Sequence, residues 1–262
     1  SGYNPDNAPY NVQSGSGGLV NLPAASINDT IAQSTTVLTG DNAKIHVLAP
    51  TSGTADLTLE AYNEIILHEK AKLDSGGLIA LAATNIDAEI GSTLSRDTAS
   101  VSIGKNSQLL VDQGNLNAGA WTNADINLQA VANAYGLAGA PSGSSTANLH
   151  LTQSVIIGSG ALLKSDNGGV TLAAGDSPGG TLQTLTVSTS VNLWNKSAAP
   201  IVVTPDPQSN VDDVASVDIV GPPAANSPPT SGILAATDIN LFADRGTINA
   251  TATGVGKDLY RE

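Results

Sequence analysis

The sequence predicts an all-β protein, a right-handed parallel β-helix (β-solenoid) of about ten coils with a period of about 22 residues, and three observations carry that expectation. A short phrase returns ten times at intervals of 21 to 26 residues, anchored on Val37, Leu59, Leu81, Ile103, Leu128, Leu151, Leu172, Leu193, Ile219 and Leu241. Two positions before each anchor stands a second aliphatic residue, from Leu57 to Ile239, with Thr35 the one departure, and the residue between is small or polar (Thr58, Ala80, Ser102, Asn127, His150). Apolar in and polar out with period two marks a half-buried strand. Finally, no long window keeps the three-and-four spacing of an amphipathic helix. Residues 55–73 come nearest, but their neighbours at the same phase are strand-like.

A unit of this size with one strong strand cannot bury its own apolar face, so successive units must stack. With equivalent strands spaced by the ordinary ladder distance, ten coils would rise about 45 to 50 Å. Along the chain, residues 1–29 read as an extended arm or linker, because the opening SGYNPDNAPYNVQSGSGG is polar and rich in Gly, Pro and Asn. Residues 30–262 read as a single β-solenoid. A weaker second strand follows the anchors at Ile65-Ile66-Leu67, Leu109-Leu110-Val111, Val155-Ile156-Ile157 and Ile201-Val202-Val203. Turns are expected at Ser75-Gly76-Gly77, Gly158-Ser159-Gly160 and Asp166-Asn167-Gly168-Gly169, where Gly and Asn accept positive φ. Loop excursions are expected near 112–122, 196–215 and 221–232. The first two are the longest repeat steps, and the third holds Pro222-Pro223 and Pro228-Pro229, which cannot donate to a ladder.

Composition bounds the rest. Aromatic residues make up only 3% of the chain, so the interior is to be filled by Leu, Ile, Val and Ala. There is no cysteine, hence neither disulfide nor thiolate chemistry, and no methionine even at the start, which suggests a processed piece of a longer chain. No apolar run is long enough for a membrane-spanning helix, so no membrane insertion is expected. The net charge of −13, with 18 Asp against 5 Glu, repels phosphate backbones and argues against nucleic acid as a partner. Asp is also favoured in turns, so the imbalance reflects turn content as much as charge. No amphipathic helix follows the last repeat to cover it. An uncovered end of this kind is a template for pairing with another chain, which implies self-association end to end or with flanking segments of the same long chain.

The phrases ADLTLEA (55–61), ADINLQA (124–130), GGVTLAA (168–174) and TDINLFA (237–243), with GSGALLKSDNGG after Val155-Ile156-Ile157, resemble repeats of bacterial filamentous-haemagglutinin-like and leukotoxin-family filamentous adhesins over roughly residues 30–255. The resemblance implies a secreted or surface-displayed β-helix, extracellular or on the bacterial cell surface. Its implied role is adhesive or structural, with host or matrix glycans as partners and no catalytic residues. The chain departs from those proteins in having no recognisable secretion domain at its start.

Parallel β-helices also carry polysaccharide lyases and hydrolases, so an enzyme or carbohydrate-binding rod is the alternative. Such sites gather carboxylates, with calcium beside a basic residue in lyases. Asp206, Asp212, Asp213 and Asp218 form the one dense acidic group and are the candidates for calcium or catalysis, with no Arg near them in sequence. Otherwise no cofactor is expected. His46 and His68 stand one period apart and could lie side by side on adjacent coils, but a third metal ligand is missing. No GxSxG phrase, phosphate-cradling Gly loop, calcium nonapeptide or Thr-x-Thr ice-binding row occurs. Trp194 and Phe242 directly follow anchors, where alternation points them outward, and Trp121 falls in an expected insertion. These three rings are the expected interaction surface. Asn28, Asn195 and Asn249 head glycosylation sequons.

Overall fold

Period-two alternation dominates the chain, and strands dominate the fold. The computed structural model describes residues 11–201, 204–221 and 232–258, and no helix occurs among them. The first rank is β1 (Val12–Asn21), β2 (Ala24–Ile31), β3 (Ser34–Thr39) and β4 (Lys44–Val47). A long β5 (Leu57–Ile90) leads to β6 (Asp97–Ile103) and β7 (Gln108–Val111), and a second long strand, β8 (Leu116–Ile157), leads to β9 (Leu162–Ser165) and β10 (Val170–Ala174). The chain closes with β11 (Thr184–Pro200), β12 (Pro205–Ile219), β13 (Gly232–Ala235), β14 (Ile239–Ala243) and β15 (Thr247–Asp258). All pairings between these strands are parallel. They form one 11-stranded sheet and a 4-stranded sheet in the order β13-β9-β7-β4.

The register overturns the expected 22-residue rung. Leu57 pairs with Leu116, Ala124 with Leu185, Gln108 with Leu162 and Leu162 with Gly232, so each ladder step advances the chain by 54 to 70 residues. Leu81 lies against Ala140, whereas Ile103 lies against Thr39 and Ile157, so these consecutive anchors are not ladder neighbours. Instead of ten short coils, the ladder is five strands deep where Gly15, Asp74, Asn133, Trp194 and Lys257 line up. At ordinary strand spacing that is a rise of about 19 Å.

Three segment expectations change with it. Much of the expected N-terminal arm is ladder: β1 and β2 pair along β5, while residues 1–10 lie outside the described residues. The 112–122 excursion shrinks to a bend at 112–115, with β8 beginning at Leu116. Most of the 196–215 excursion is strand, because Pro205 and Pro207 sit on β12, which is paired on one side only, to β8. Proline is tolerated at such an edge. The 221–232 stretch falls almost wholly outside the described residues.

The alternation itself inverts at one column of glycines. Gly18, Gly77 and Gly136 stack in register, with Gly77 and Gly136 at φ 159° and 154°. A Cβ on Gly136 would land on the carbonyl of Gly77, and one on Gly77 would land on that of Gly18. Before the column Leu73 and Ser75 face inward; after it Ala80 and Ala82 do. Ile79, read as a core residue from its phrase, is therefore turned outward and 42% exposed, and Leu81 shares that face. A single extra residue at a glycine hinge exchanges the two faces of a strand.

The interior holds two apolar clusters. One gathers Leu73, Ile86, Ile90, Ile126, Leu128, Leu149 and Leu193, and the other Ile103, Leu109, Leu116, Leu163 and Leu172, filled out by alanines in both. Between them runs a buried polar seam of Asn63, Asp97, Thr122, Gln153, Gln183 and Asp213. Along β5 the inward row reads Ala61, Asn63, Ile65, so the seam passes between residues of different clusters.

Candidate functional site

The four candidate acids all lie on β12, and the strand separates them. Asp206, Asp212 and Asp218 are exposed at six-residue intervals, which along an extended strand is about 20 Å from one to the next. Asp213 has the opposite parity and is buried. No group of three or more His, Cys, Asp or Glu that could hold a metal forms among the described residues. Asp206 accepts from Gln208 at 3.1 Å and Asp218 from Ser216 at 3.4 Å, both local contacts.

The site of densest chemistry is built on Asp212 by partners remote in sequence. His150 is its register neighbour on β8, with Nδ1 3.3 Å from Asp212 Oδ2. Arg96, just ahead of β6, donates from Nη1 to the same oxygen at 2.6 Å and from Nη2 to the Asp212 carbonyl at 2.6 Å. The guanidinium also holds the Leu151 carbonyl through Nε and Nη2 and the Thr152 hydroxyl through Nε. Arg96 and then His150 bring the Asp212 carboxyl down to about 2, so it is ionised and weakly basic at neutral pH. The constellation stitches β8 and β12 to the chain entering β6, and Arg96 is held through all three of its guanidinium nitrogens.

Asp213, one residue on, is governed by burial. Desolvation raises its carboxyl above the ordinary range, opposed by the side-chain amides of Gln153 and Gln183; Gln183 Nε2 donates to Oδ2 at 2.6 Å, whereas the Gln153 amide lies near the carboxyl without the geometry of a hydrogen bond. Asp97 is raised for the same reason, against hydrogen bonds from Asn63 and the Gln33 amide.

The histidines do not form the expected pair. His46 on β4 lies beside Leu110 and His68 on β5 beside Asn127. Each has an acidic partner instead: His46 Nε2 is 2.6 Å from Asp112 and His68 Nε2 is 3.1 Å from Asp125. The bond from His46 draws the Asp112 carboxyl below its usual value, helped by the Ala49 amide.

The three aromatic candidates lie apart. Trp121 is on β8 rather than in an insertion, and its ring packs on Tyr62, its register partner, at 5.3 Å and 34°. Trp194 does face outward, but Lys196 lies over it with Nζ 3.7 Å from the ring centroid and also approaches Tyr135 at 4.9 Å. Phe242, on β14, is 47% exposed. A shallow apolar groove runs past Leu22, Leu81, Ala140 and Pro141, on the face that the glycine column turned outward.

Arg96 was not found from the sequence because 116 residues separate it from Asp212 and no local pattern links them. The seam left a readable signal: Asn63 and Thr122 occupy positions whose parity neighbours, Ala61, Ile65, Ala120 and Ala124, are all buried apolar residues. No helix of the described residues is long and apolar enough to cross a membrane. No family model, curated protein or solved structure matches the chain.

Proposed function

We propose that the chain is a non-enzymatic structural or adhesive segment of an extracellular bacterial filamentous protein, wound as a right-handed parallel β-helix with coils of about 60 residues. The observation that carries this reading is the one-directional parallel ladder with an open strand edge at each end. Among the described residues β1 to β4 pair on one side only, and so do β12 to β15. Those outer ranks expose apolar side chains, Leu19, Leu22, Leu38 and Leu48 at one end and Ile219, Leu234, Leu241 and Phe242 at the other. Parallel strands with free N–H and C=O groups beside apolar treads are suited to receive the next segment of the same chain or another copy. Purified protein imaged by negative stain at rising concentration is expected to form end-to-end fibres that shorten when Leu38 and Phe242 are both changed to Lys. Short monomeric rods at every concentration would count against it.

The alternative, a polysaccharide-active enzyme or carbohydrate-binding rod, is favoured by one observation: a basic residue and a histidine converge on Asp212. Its weakness is chemical, since a carboxylate titrating at about 2 and held by Arg96 is a poor general base at neutral pH. Incubation with pectin, alginate and glycosaminoglycans separates the readings. New reducing ends or unsaturated products would establish the enzyme.

A further inference from the structure

The polar seam between the two apolar clusters is organised in levels. At the lower level Asn63 Nδ2 donates to Asp97 Oδ1 at 2.7 Å and to the Thr98 carbonyl at 3.1 Å. At the upper level Gln183 joins three groups: its Nε2 donates to Asp213 Oδ2 at 2.6 Å and to the Arg245 carbonyl at 3.0 Å, and its Oε1 accepts from the Thr122 amide at 3.3 Å. Thr122 lies one ladder step above Asn63, and Asp97 and Asp213 flank Leu151 on either side. The middle of the seam is thus bounded by two amide–carboxyl pairs.

What faces that middle is unpaired. Asn63 Oδ1, Thr122 Oγ1, Gln153 Oε1, Gln153 Nε2 and Asp213 Oδ1 are all out of contact with solvent and have no hydrogen-bond partner in the protein. Asn63, Thr122 and Gln153 are completely buried, and Asp213 is 4% exposed. Leaving five such atoms unsatisfied in a low-dielectric interior would be severely destabilising. Exchanging the oxygen and nitrogen of Gln153 does not help, because both of its amide atoms are without partners.

We infer that the seam encloses an internal water site, in which one or more ordered waters bridge Thr122, Gln153 and Asp213 and reach Asn63. The donor and acceptor inventory selects water among small ligands. Three of the five atoms are acceptors only, Gln153 Nε2 is a donor only, and the Thr122 hydroxyl is both, so the occupant must donate and accept. A metal ion would suit the oxygens but would meet the Gln153 amide hydrogens head-on. An anion would be repelled by the Asp213 carboxylate. Polar atoms that make no direct bond, sealed from bulk solvent and offering at least two partners, are the setting in which buried waters persist. The waters would link the two clusters and solvate Asp213 where the protein supplies only one side of its carboxyl.

The test is water-to-protein NOE spectroscopy on the full chain labelled with nitrogen-15. Long-lived water cross-peaks to the side-chain amide protons of Gln153 and Gln183 are expected in the wild type. The Gln183 peaks, whose reporter group is retained, are expected to disappear in the Thr122→Val, Gln153→Met double variant. Absence of those peaks from the folded wild type overturns the inference, and that measurement needs no variant to fold. A crystal structure showing a ligand held at the calcium–oxygen distance of about 2.3 to 2.6 Å, with a melting temperature that rises on adding calcium, overturns it in favour of a cation.

Discussion

A ladder step of about 60 residues, rather than the 22-residue period, can be tested covalently, and the cysteine-free chain makes the test clean. Thr36 and Ser100 are register partners on β3 and β6, outward-facing, with hydroxyl oxygens 3.1 Å apart. Neighbouring parallel strands place their Cα atoms about 5 Å apart, inside the window a disulfide tolerates. Replacing two surface hydroxyls by thiols should itself change stability by no more than about 0.5 kcal/mol each. Oxidation of Thr36→Cys with Ser100→Cys would close a loop spanning 64 residues. Chain entropy then assigns about 4 kcal/mol of stabilisation, less whatever strain the bridge introduces. The assay is thiol counting and non-reducing electrophoresis, followed by urea unfolding of the oxidised and reduced forms. The control pairs Thr36→Cys with Thr58→Cys, one sequence period apart but with Thr58 lying against Asn117. Ready closure of the control together with failure of the 36–100 pair would refute the register and restore the 22-residue rung.

Ile126 is fully buried with Leu67 and Val187 as its register neighbours, so Ile126→Ala should cost about 3 to 4 kcal/mol and Ile126→Val about 1 kcal/mol, read as a lowered urea midpoint at constant slope. Gly136→Ala would drive a methyl into the Gly77 carbonyl and should cost about 3 kcal/mol, whereas Gly76→Ala, with open space around it, should stay within about 0.5 kcal/mol; equal effects would show that the glycine column is not tightly packed. Asp212 has its carboxyl lowered from 3.8 to about 2, so its contribution to stability is present above 3.8 and is lost as the pH falls through about 2. Asp212→Asn should therefore flatten the melting-temperature profile across that window and nowhere else. Asp213 is raised above 3.8, which reverses the sign: its contribution is present below 3.8 and is lost as the pH climbs through the raised value. Asp213→Asn, which keeps an acceptor for Gln183, should therefore compare better with the wild type at pH 7 than at pH 3.5.

Strand content was legible because alternation is a local property, and the reason the architecture was not follows from the same fact. The phrases at Val101-Ser102-Ile103, Ile126-Asn127-Leu128 and Val191-Asn192-Leu193 all fall in strands with their aliphatic pair buried. Period two, however, says only that a strand has an inner face. It does not say which other strand lies beside it, and any pairing that keeps parity satisfies it equally well. Val37 shows the ambiguity: its ladder partner is Val101, close to three sequence periods away, so the repeat counts successive strands within one step rather than successive steps. Even the inner face was misread where glycine intervened, at Ile79, because a hinge that inserts one residue leaves no mark in the hydrophobic pattern that follows it. The four candidate acids stay apart for a related reason. Asp206, Asp212, Asp213 and Asp218 were grouped by nearness in sequence, but along an extended strand nearness in sequence is distance in space, and adjacent residues face opposite ways. What gathers chemistry in a parallel ladder is the rung, which brings Arg96, His150 and Asp212 together across two steps. A polar residue set at the parity of the core is the more reliable local sign, since burial without a partner is costly enough that such a residue survives only where something meets it. Asn63, Thr122 and Gln153 carry that sign, and they line the seam rather than the surface on which Asp206, Asp212 and Asp218 lie.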